Sequence, residues 1–243
     1  MPDPIFAEPR LARIYDALDA DRSDLDAYAA MVAEFGARRV LDVGCGTGVF
    51  GCLLAGRGVR VTGVDPAEAS LAVARARPGG DAVRWILGDA AALPPLQVDL
   101  ATMTGNVAQV FLTDDDWAAT LRGVRAALRP GGVLAFETRD PARRAWLEWD
   151  RARTHAVTDI PGAGRVESWC DVLDVSGPLV TFRQTYVFET DGAVLTSDST
   201  LRFREREEVE GSLRATCFRV EDVRGAPDRP GREFVFIART ADV

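Results

Sequence analysis

Apolar residues in the first half of the chain follow two alternating patterns. Short apolar runs, which predict buried strands, lie at about 38–43, 59–64, 82–87, 97–103 and 132–138. Between these runs, apolar residues recur at helical spacing, which predicts helices with one apolar face. The helix after the second run is predicted to carry Pro66 in its first turn. Strands that alternate with helices pair in parallel, with helices on both faces of the sheet. The pattern therefore predicts an α/β fold.

Two further helices are predicted before the first strand. Residues 9–20 carry Leu11 and Ile14 on one side. A second helix begins at the candidate N-cap Ser23 and ends before Gly36. Because both helices precede the first strand, they are additions to the α/β core.

The pattern changes after Pro141. Residues 141–150 predict an amphipathic helix, and alternating polarity then predicts three strands at 165–175, 179–189 and 193–204. The turn signals S-G-P and T-D-G-A separate these stretches, which predicts an antiparallel meander. A last helix and two last strands, which complete seven in the main sheet, are predicted at about 205–215, 217–224 and 233–239.

The composition excludes several classes of function. A net charge of −8 opposes broad binding to nucleic acid, which needs a basic face. All 29 basic residues are arginines, which excludes a Schiff-base lysine and the lysine-containing phosphate loop. Scattered cysteines and a single histidine give no zinc-site spacing, so we expect no metal. Without a leader pattern or a membrane-spanning apolar run, we expect a cytoplasmic protein with no membrane partner.

Glycines end the first predicted strand. The string VLDVGCGTG, from Val40 to Gly48, predicts a strand, a tight turn and a helix, where the backbone can approach a ligand closely. The next strand ends in Asp65, about 20 residues beyond the first glycine, where α/β nucleotide folds bind ribose hydroxyls. Residues 46–51 also fit the G-x-G-x-x-G pattern of nicotinamide or flavin binders, so this loop alone leaves two cofactor classes open.

Four motifs in order resemble those of the class I S-adenosylmethionine (SAM)-dependent methyltransferases. They are DVGCGTG (42–48), VTGVDPA (61–67), ILGDAAALP (86–94) and LRPGGVLAFE (128–137). The resemblance implies a doubly wound, Rossmann-like, seven-stranded mixed sheet, SAM as cofactor, and in-line methyl transfer to a nitrogen or oxygen of a small molecule. The alternatives are a nicotinamide-dependent oxidoreductase and a non-catalytic SAM-binding regulatory protein.

The resemblance also divides the chain into four parts. N-terminal lid helices occupy residues 1–36, and the SAM-binding core occupies 37–140. Residues 141–204 form an insertion, and 205–243 supply the last helix and two strands of the core sheet. In related small-molecule methyltransferases such an insertion covers the acceptor pocket or makes a homodimer contact.

In methyltransferases of this kind, SAM lies at the carboxyl ends of the strands. By resemblance, Asp42 would bind its ammonium group, and Asp65 would accept both ribose hydroxyls. Asp89 would accept a proton from the adenine amino group, although it also suits helix capping. The other predicted cofactor contacts are Gly44, Cys45, Gly46, Pro66, Ala90, Met103 and Thr104.

The segment after the fourth strand bears on the acceptor. Its string T-G-N-V departs from the N-P-P-Y or D-P-P-Y of DNA and protein amide methyltransferases, which favours a small-molecule acceptor. We predict acceptor contacts from Asn106 and Gln109 in this segment, and from Glu137 and Arg139 at the end of the fifth strand.

Two residues are candidates for catalysis. Tyr15, in the string IYD, resembles a lid tyrosine that some small-molecule members place near the methyl group, but it equally fits a half-buried anchor of its helix. His155 is the best candidate for a base, which a hydroxyl or carbon acceptor would usually need. Its alternative role is that of a surface or capping histidine.

Overall fold

The computed structural model describes residues 1–241 of the chain. Its α-helices are α1 (Pro4–Ala7), α2 (Pro9–Leu18), α3 (Asp24–Glu34), α4 (Val49–Gly56), α5 (Glu68–Ala76), α6 (Asp114–Ala127), α7 (Arg151–Thr154) and α8 (Arg206–Ala215). Its strands are β1 (Arg39–Val43), β2 (Arg60–Asp65), β3 (Arg84–Leu87), β4 (Val98–Met103), β5 (Leu128–Arg139), β6 (Ala156–Ile160), β7 (Gly164–Ser176), β8 (Leu179–Phe188), β9 (Val194–Arg202), β10 (Phe218–Gly225) and β11 (Glu233–Thr240).

The main sheet has seven strands in the order β10-β11-β5-β4-β1-β2-β3. Strands β1 to β5 pair in parallel, whereas β11 runs antiparallel to both β5 and β10. Helices cover both faces, because one apolar cluster contains Trp117 of α6 and Leu213 of α8, and another contains Tyr28 of α3 and Leu54 of α4. The doubly wound, mixed sheet predicted from the sequence is confirmed.

A second sheet lies in the predicted insertion, with four antiparallel strands in the order β6-β7-β8-β9. The sequence predicted only the last three of these. Strand β6 is an edge strand that pairs with β7, and most of its side chains are exposed, so it lacks the regular alternation that marked the others.

The amphipathic helix predicted over 141–150 is wrong. The chain instead forms two short 3₁₀ turns, Pro141–Arg143 and Ala145–Glu148. Arg144 separates them with a φ of +47°, a left-handed conformation that an α-helix cannot contain. Trp146 still packs against Phe203, with ring centroids 4.6 Å apart, so the apolar side chains are buried without a regular helix.

The first two helices pack against the second sheet and also contact α5 of the main domain core, where Ser70 Oγ donates to the Phe6 carbonyl at 2.9 Å. Ile5 and Leu11 share an apolar cluster with Val166 of β7 and with Tyr186 and Phe188 of β8. We call the face of the second sheet that carries these three side chains its inner face. No helix within residues 1–241 is long and apolar enough to cross a membrane.

Candidate active site

The order of the strands brings most of the predicted site residues to one edge of the main sheet. Because β3, β2, β1, β4 and β5 are neighbours and parallel, their carboxyl ends lie side by side. Asp89 follows β3, Asp65 ends β2, and the glycine loop (residues 44–48) follows β1. Asn106 follows β4, and Glu137 lies near the end of β5. A ligand lying along this edge would meet all five features in turn.

One carboxylate oxygen of Asp42 is buried and has no hydrogen-bond partner. The residue lies in β1 with 1% of its surface exposed. Its Oδ1 accepts a hydrogen bond from Thr102 Oγ1 at 3.2 Å, whereas its Oδ2 makes no hydrogen bond. Burial raises the pKa of Asp42 to about 7, although the Thr102 contact lowers it. An unpartnered buried carboxylate oxygen is costly, and a cationic ligand group would satisfy it.

The glycine loop is held by the neighbouring strand β2. Gly46 N–H donates to Asp65 Oδ2, and Ala67 N–H donates to Asp65 Oδ1, both at 2.8 Å. Gly44 adopts a φ of +70°, and a Cβ there would lie 2.5 Å from a methyl group of Val107, so this position requires glycine. A Cβ at Gly46 would meet nothing within 4 Å, which leaves room beside the loop for a ligand.

The helix that follows Asp65 starts later than the sequence predicted. We expected Pro66 in the first turn of α5, but α5 begins at Glu68 and Pro66 is exposed before it. Asp65 explains the delay, because its carboxylate binds the Ala67 N–H and keeps Ala67 in an extended conformation. The Cys45 side chain turns towards Gly63, where a Cβ would lie 2.9 Å from its Sγ, so the loop presents the Cys45 backbone rather than its thiol.

Asp89 has the capping role that the sequence left open. Its Oδ1 accepts a hydrogen bond from Ala91 N–H at 2.9 Å, which begins a 3₁₀ turn over Ala90–Ala92. The Asp89 side chain is exposed, whereas Ala90 is buried. Capping through one carboxylate oxygen is compatible with a ligand contact through the other.

The residues at the end of β4 face two ways. Met103 is completely buried in the apolar cluster that contains Trp117 and Phe136, whereas Thr104 is half-buried at the strand end. Asn106 follows with a φ of +61° and is 3% exposed. The loop over residues 104–109 therefore places polar atoms at the carboxyl end of β4, while the Met103 side chain packs in the core and holds the start of the loop.

Glu137 holds this loop instead of facing outwards. Its Oε1 accepts from Gly105 N–H at 2.7 Å and from Asn106 N–H at 3.2 Å, and its Oε2 accepts from Tyr28 Oη at 2.9 Å. Burial raises the pKa of Glu137, with the nearby Glu233 acting in the same direction. Because both oxygens already have protein partners, the structure gives Glu137 the role of fixing the loop.

A buried polar network continues from Asn106 to the last strand. Asn106 Nδ2 donates to Glu233 Oε1 at 3.2 Å, and Arg229 donates to the same oxygen at 2.8 Å. The orientation of the Asn106 amide is fixed, because its NH₂ group must face the Glu233 carboxylate. Asn106 Oδ1 is consequently buried without a hydrogen-bond donor.

Arg139 and Gln109 form one unit beside this network. Arg139 Nη1 donates to Gln109 Oε1 at 2.9 Å, and Arg139 Nε lies 3.8 Å from Glu233 Oε1. Burial lowers the pKa of Arg139, with Glu233 opposing that effect. The guanidinium also lies 5.5 Å from the centre of the Trp149 ring. These contacts bring both predicted acceptor residues to the same end of the sheet as Asn106.

Tyr15 is brought to this region by α2. It packs against Phe6, with ring centroids 5.5 Å apart, and burial raises its pKa. Tyr15 also packs against the apolar cluster that contains Tyr186, and the charge of Arg139 lowers the pKa of Tyr15 without outweighing burial. Tyr15 thus lies against the inner face of the second sheet.

His155 lies apart from these residues. Its Nε2 contacts Glu167 Oε1 at 2.9 Å, and Arg151 contacts the same oxygen at 2.8 Å. Glu167 points away from the inner face, because its neighbour Val166 on β7 points into that face beside Phe188. The contacts of His155 fit the alternative role of a surface histidine, and its role as a base stays a prediction with no contact to support it.

Several residues of the site had no signal strong enough to identify them from the sequence. Tyr28, Thr102 and Glu233 each hold a predicted site residue through a buried polar contact. The available signal was weak: a tyrosine on the apolar side of a helix, and a glutamate at the start of an apolar strand. Buried polar groups need partners, but spacing alone does not identify those partners.

Comparisons with known proteins identify the family. A family model described as a methyltransferase domain matches residues 40–132. The chain is 32% identical over 183 residues to the cypemycin N-terminal methyltransferase of Streptomyces sp, and the match covers 73% of each protein. The chain belongs to the class I SAM-dependent methyltransferases. SAM is therefore its cofactor.

Two other similarities agree with this assignment. The methyltransferase is 34% identical over 129 residues to a ubiquinone biosynthesis O-methyltransferase of Idiomarina loihiensis, a match that covers 51% of each protein. It also shares its fold with SAM-bound CalS10 of Micromonospora echinaspora, an amino pentose methyltransferase, with a TM-score of 0.71 and 23% identity. That match covers 94% of this chain and 97% of the other.

The residues at the strand edge fit SAM. The unpartnered Oδ2 of Asp42 suits its ammonium group, and the open space beside Gly46 suits the approach of its methionine part. The nicotinamide alternative has no support.

The raised pKa of Asp42 predicts a pH dependence of SAM binding. If the carboxylate holds the ammonium group, SAM must bind the ionised form, so binding releases a proton below a pH of about 7. We expect the affinity for SAM to fall by up to about tenfold for each pH unit below that value. Calorimetric titrations from acidic to neutral pH measure this slope. Asp42→Asn should bind more weakly with a flat profile, whereas an unchanged slope in that variant would contradict the assignment.

Proposed function

We propose that this methyltransferase transfers the methyl group of SAM to an amine nitrogen of a small molecule. The observation that carries this proposal is the Oδ1 atom of Asn106, a buried hydrogen-bond acceptor without a donor. The N–H of an amine would satisfy it. The amide cannot turn its NH₂ group to that place without facing its own oxygen towards the Glu233 carboxylate.

The absence of a free base near Asn106 also favours an amine. An amine needs only to be unprotonated, whereas a hydroxyl usually needs a base to remove its proton. Among the described residues on this side, Glu137 has partners on both oxygens and Glu233 is paired with arginine. Burial raises the pKa values of Tyr15 and Tyr186, which keeps both phenols protonated at neutral pH.

The names of the similar proteins point in the same direction. The cypemycin enzyme is named for an N-terminal acceptor, and CalS10 is an amino pentose methyltransferase. The ubiquinone relative is an O-methyltransferase and supports the other acceptor class. Of the two relatives found by sequence similarity, the cypemycin enzyme is matched over 73% of this chain and the ubiquinone enzyme over 51%.

The chemistry divides between the cofactor and the chain. SAM supplies a methyl group on a sulfonium. The leaving group is the neutral thioether S-adenosylhomocysteine, so no acid is needed to assist it. The chain supplies alignment and the exclusion of water. We propose that Asn106 orients the acceptor N–H, while Glu137 holds the loop that carries Asn106. Arg139 would bind a polar part of the acceptor, with its guanidinium held by the buried Gln109 side chain. Tyr15 would close the site from the side of α2.

We propose the cofactor contacts in the same terms. Asp65 would bind the ribose hydroxyls, and Asp89 with the Ala90 N–H would bind adenine. Gly44, Cys45, Gly46 and Thr104 would line the methionine part and the sulfur. The four cysteines are free thiols, which fits a reducing compartment and supports a cytoplasmic location.

A homodimer contact through the second sheet is also proposed, and sedimentation velocity of the purified chain tests it.

Substitution of Asn106 by glycine tests the acceptor assignment. Glycine accommodates the φ of +61° without strain, so this variant removes the side chain and its contact to Glu233 but leaves the backbone conformation unchanged. We expect kcat/KM for an amine acceptor to fall by roughly 10- to 100-fold, because one buried hydrogen bond is lost. Matched amine and hydroxyl pairs, such as an amino sugar and the parent sugar, are incubated with SAM, and the products are identified by mass spectrometry.

Cys217→Gly is the matched control, because Cys217 has the same φ of +61° and lies just before β10, away from this edge of the sheet. It should leave kcat/KM within about twofold of the wild type. Faster methylation of the hydroxyl member of a pair than of its amine would contradict the proposal.

A further inference from the structure

The first two helices connect the two sheets across the site. We call residues 4–18, which form α1 and α2, the N-terminal segment. On the second sheet, Ile5 N–H donates to Ser197 Oγ at 3.0 Å, and Arg10 forms two hydrogen bonds with Asp191 at 2.8 and 3.0 Å. These contacts fix the first part of the N-terminal segment to the second sheet.

The other end is held by Asp16, which binds the glycine loop directly. Thr47, between Gly46 and Gly48, donates from its hydroxyl to Asp16 Oδ1 at 2.6 Å. Arg77, at the end of α5, pairs with Asp16 Oδ2 and donates from Nε to the Thr47 carbonyl at 3.0 Å. The three residues thus form a closed ring of hydrogen bonds between α2, the glycine loop and α5.

The ring joins α2 to the glycine loop, which lies on the cofactor side of the site. Asp16 follows Tyr15, which packs against the apolar cluster on the inner face of the second sheet. Thr47 follows Gly46, whose N–H is bonded to Asp65 on the cofactor side. The ring is sheltered, because Thr47 is 4% exposed and the side chains of Asp16 and Arg77 are only 28% and 25% exposed. Ion pairs with such shelter are screened less by solvent than those on the open surface.

We propose that Asp16 is a positioning residue that fixes the glycine loop to the N-terminal segment, so that the cofactor and acceptor sides of the site are assembled together. Asp16 acts through Thr47 and Arg77 and need not touch either substrate. The proposal rests on the SAM site of the family and is independent of whether the acceptor is an amine.

The Arg10–Asp191 pair supplies a comparison within the same segment. It holds the segment to the second sheet and makes no contact with the glycine loop. Loss of Arg10 should therefore loosen the segment without disturbing the loop. Loss of Asp16 should disturb both.

The test measures dissociation of S-adenosylhomocysteine, the demethylated product of SAM, in stopped-flow displacement experiments. In Asp16→Ala we expect dissociation to be about tenfold faster, because a charge-assisted contact to the loop is lost. Thr47→Val, which removes the hydroxyl at nearly constant shape, should act in the same direction. Thr47→Ser, which keeps the hydroxyl, should restore a rate close to that of the wild type.

Amide hydrogen exchange over residues 9–18 supplies the second measurement. Both Asp16→Ala and Arg10→Gln should exchange faster than the wild type, but only Asp16→Ala should also release S-adenosylhomocysteine faster. Equal dissociation rates for wild type and Asp16→Ala would overturn the proposal, as would equal acceleration by Arg10→Gln.

If Asp16→Ala does not fold, the Thr47→Val and Thr47→Ser pair decides, and the same dissociation rate for both variants overturns the proposal. None of these outcomes depends on the acceptor, so a failure of the amine assignment is recognised separately.

Discussion

Asp65→Ala is expected to abolish tight SAM binding while the chain remains folded. Each Asp65 oxygen accepts one backbone N–H, from Gly46 or Ala67, and we propose that each also accepts a ribose hydroxyl through its remaining lone pair. The variant would therefore lose two charge-assisted contacts to the cofactor and the support of the glycine loop. At about 1.5–3 kcal/mol for each contact, the Kd for SAM should rise at least 100-fold. Calorimetric titration with SAM and S-adenosylhomocysteine measures it.

Asp99→Ala is the matched control for this prediction. Asp99 also accepts from two backbone N–H groups, those of Arg38 and Arg39, both at 2.9 Å. It lies at the start of β4, on the edge of the sheet opposite the site. Asp99→Ala should lower stability by about 1–2 kcal/mol and leave the Kd for SAM within about twofold. If Asp65→Ala bound SAM as tightly as Asp99→Ala, the ribose assignment would be wrong.

The main sheet could be predicted from the sequence because its signals are local. Each parallel strand is an apolar run, and each turn at the cofactor edge is marked by glycine or aspartate within a few residues of the strand end. The string around Gly44 and Gly46 thus indicated both a strand–turn–helix unit and a ligand site. The edge strand β6 and the turns around Arg144 lacked such signals, because their conformation depends on packing against other parts of the chain.

Contacts between distant residues could not be predicted in this way. Tyr28 and Glu137 are 109 positions apart, and Asp16 and Thr47 are 31 positions apart. Sequence spacing places a residue on a face of its own helix or strand, but not opposite a particular residue of another element. Glu137 shows the effect, since its place at the end of β5 was predicted while its inward partners were not.

The largest expected effect on stability concerns a glycine away from the loop. Gly123 lies in α6, where the helix backbone packs against the turn at Ala90–Ala92. A Cβ at Gly123 would overlap the Ala90 carbonyl oxygen and lie 2.7 Å from the carbonyl carbon. In Gly123→Ala the turn or the helix must therefore move. We expect a loss of about 3 kcal/mol, or roughly 6–12 °C in Tm, measured by urea and thermal unfolding.

Gly211→Ala provides the same substitution with the opposite expected sign. Gly211 also lies inside a helix, α8, but a Cβ there would meet nothing within 4 Å. The higher helix propensity of alanine should stabilise this variant by about 0.5–1 kcal/mol. Because the turn displaced by Gly123→Ala follows Asp89, that variant should also bind SAM more weakly, whereas Gly211→Ala should bind it normally. Equal stability of the two variants would show that α6 and the turn can separate without cost, and Asp89 would then not depend on α6 for its position.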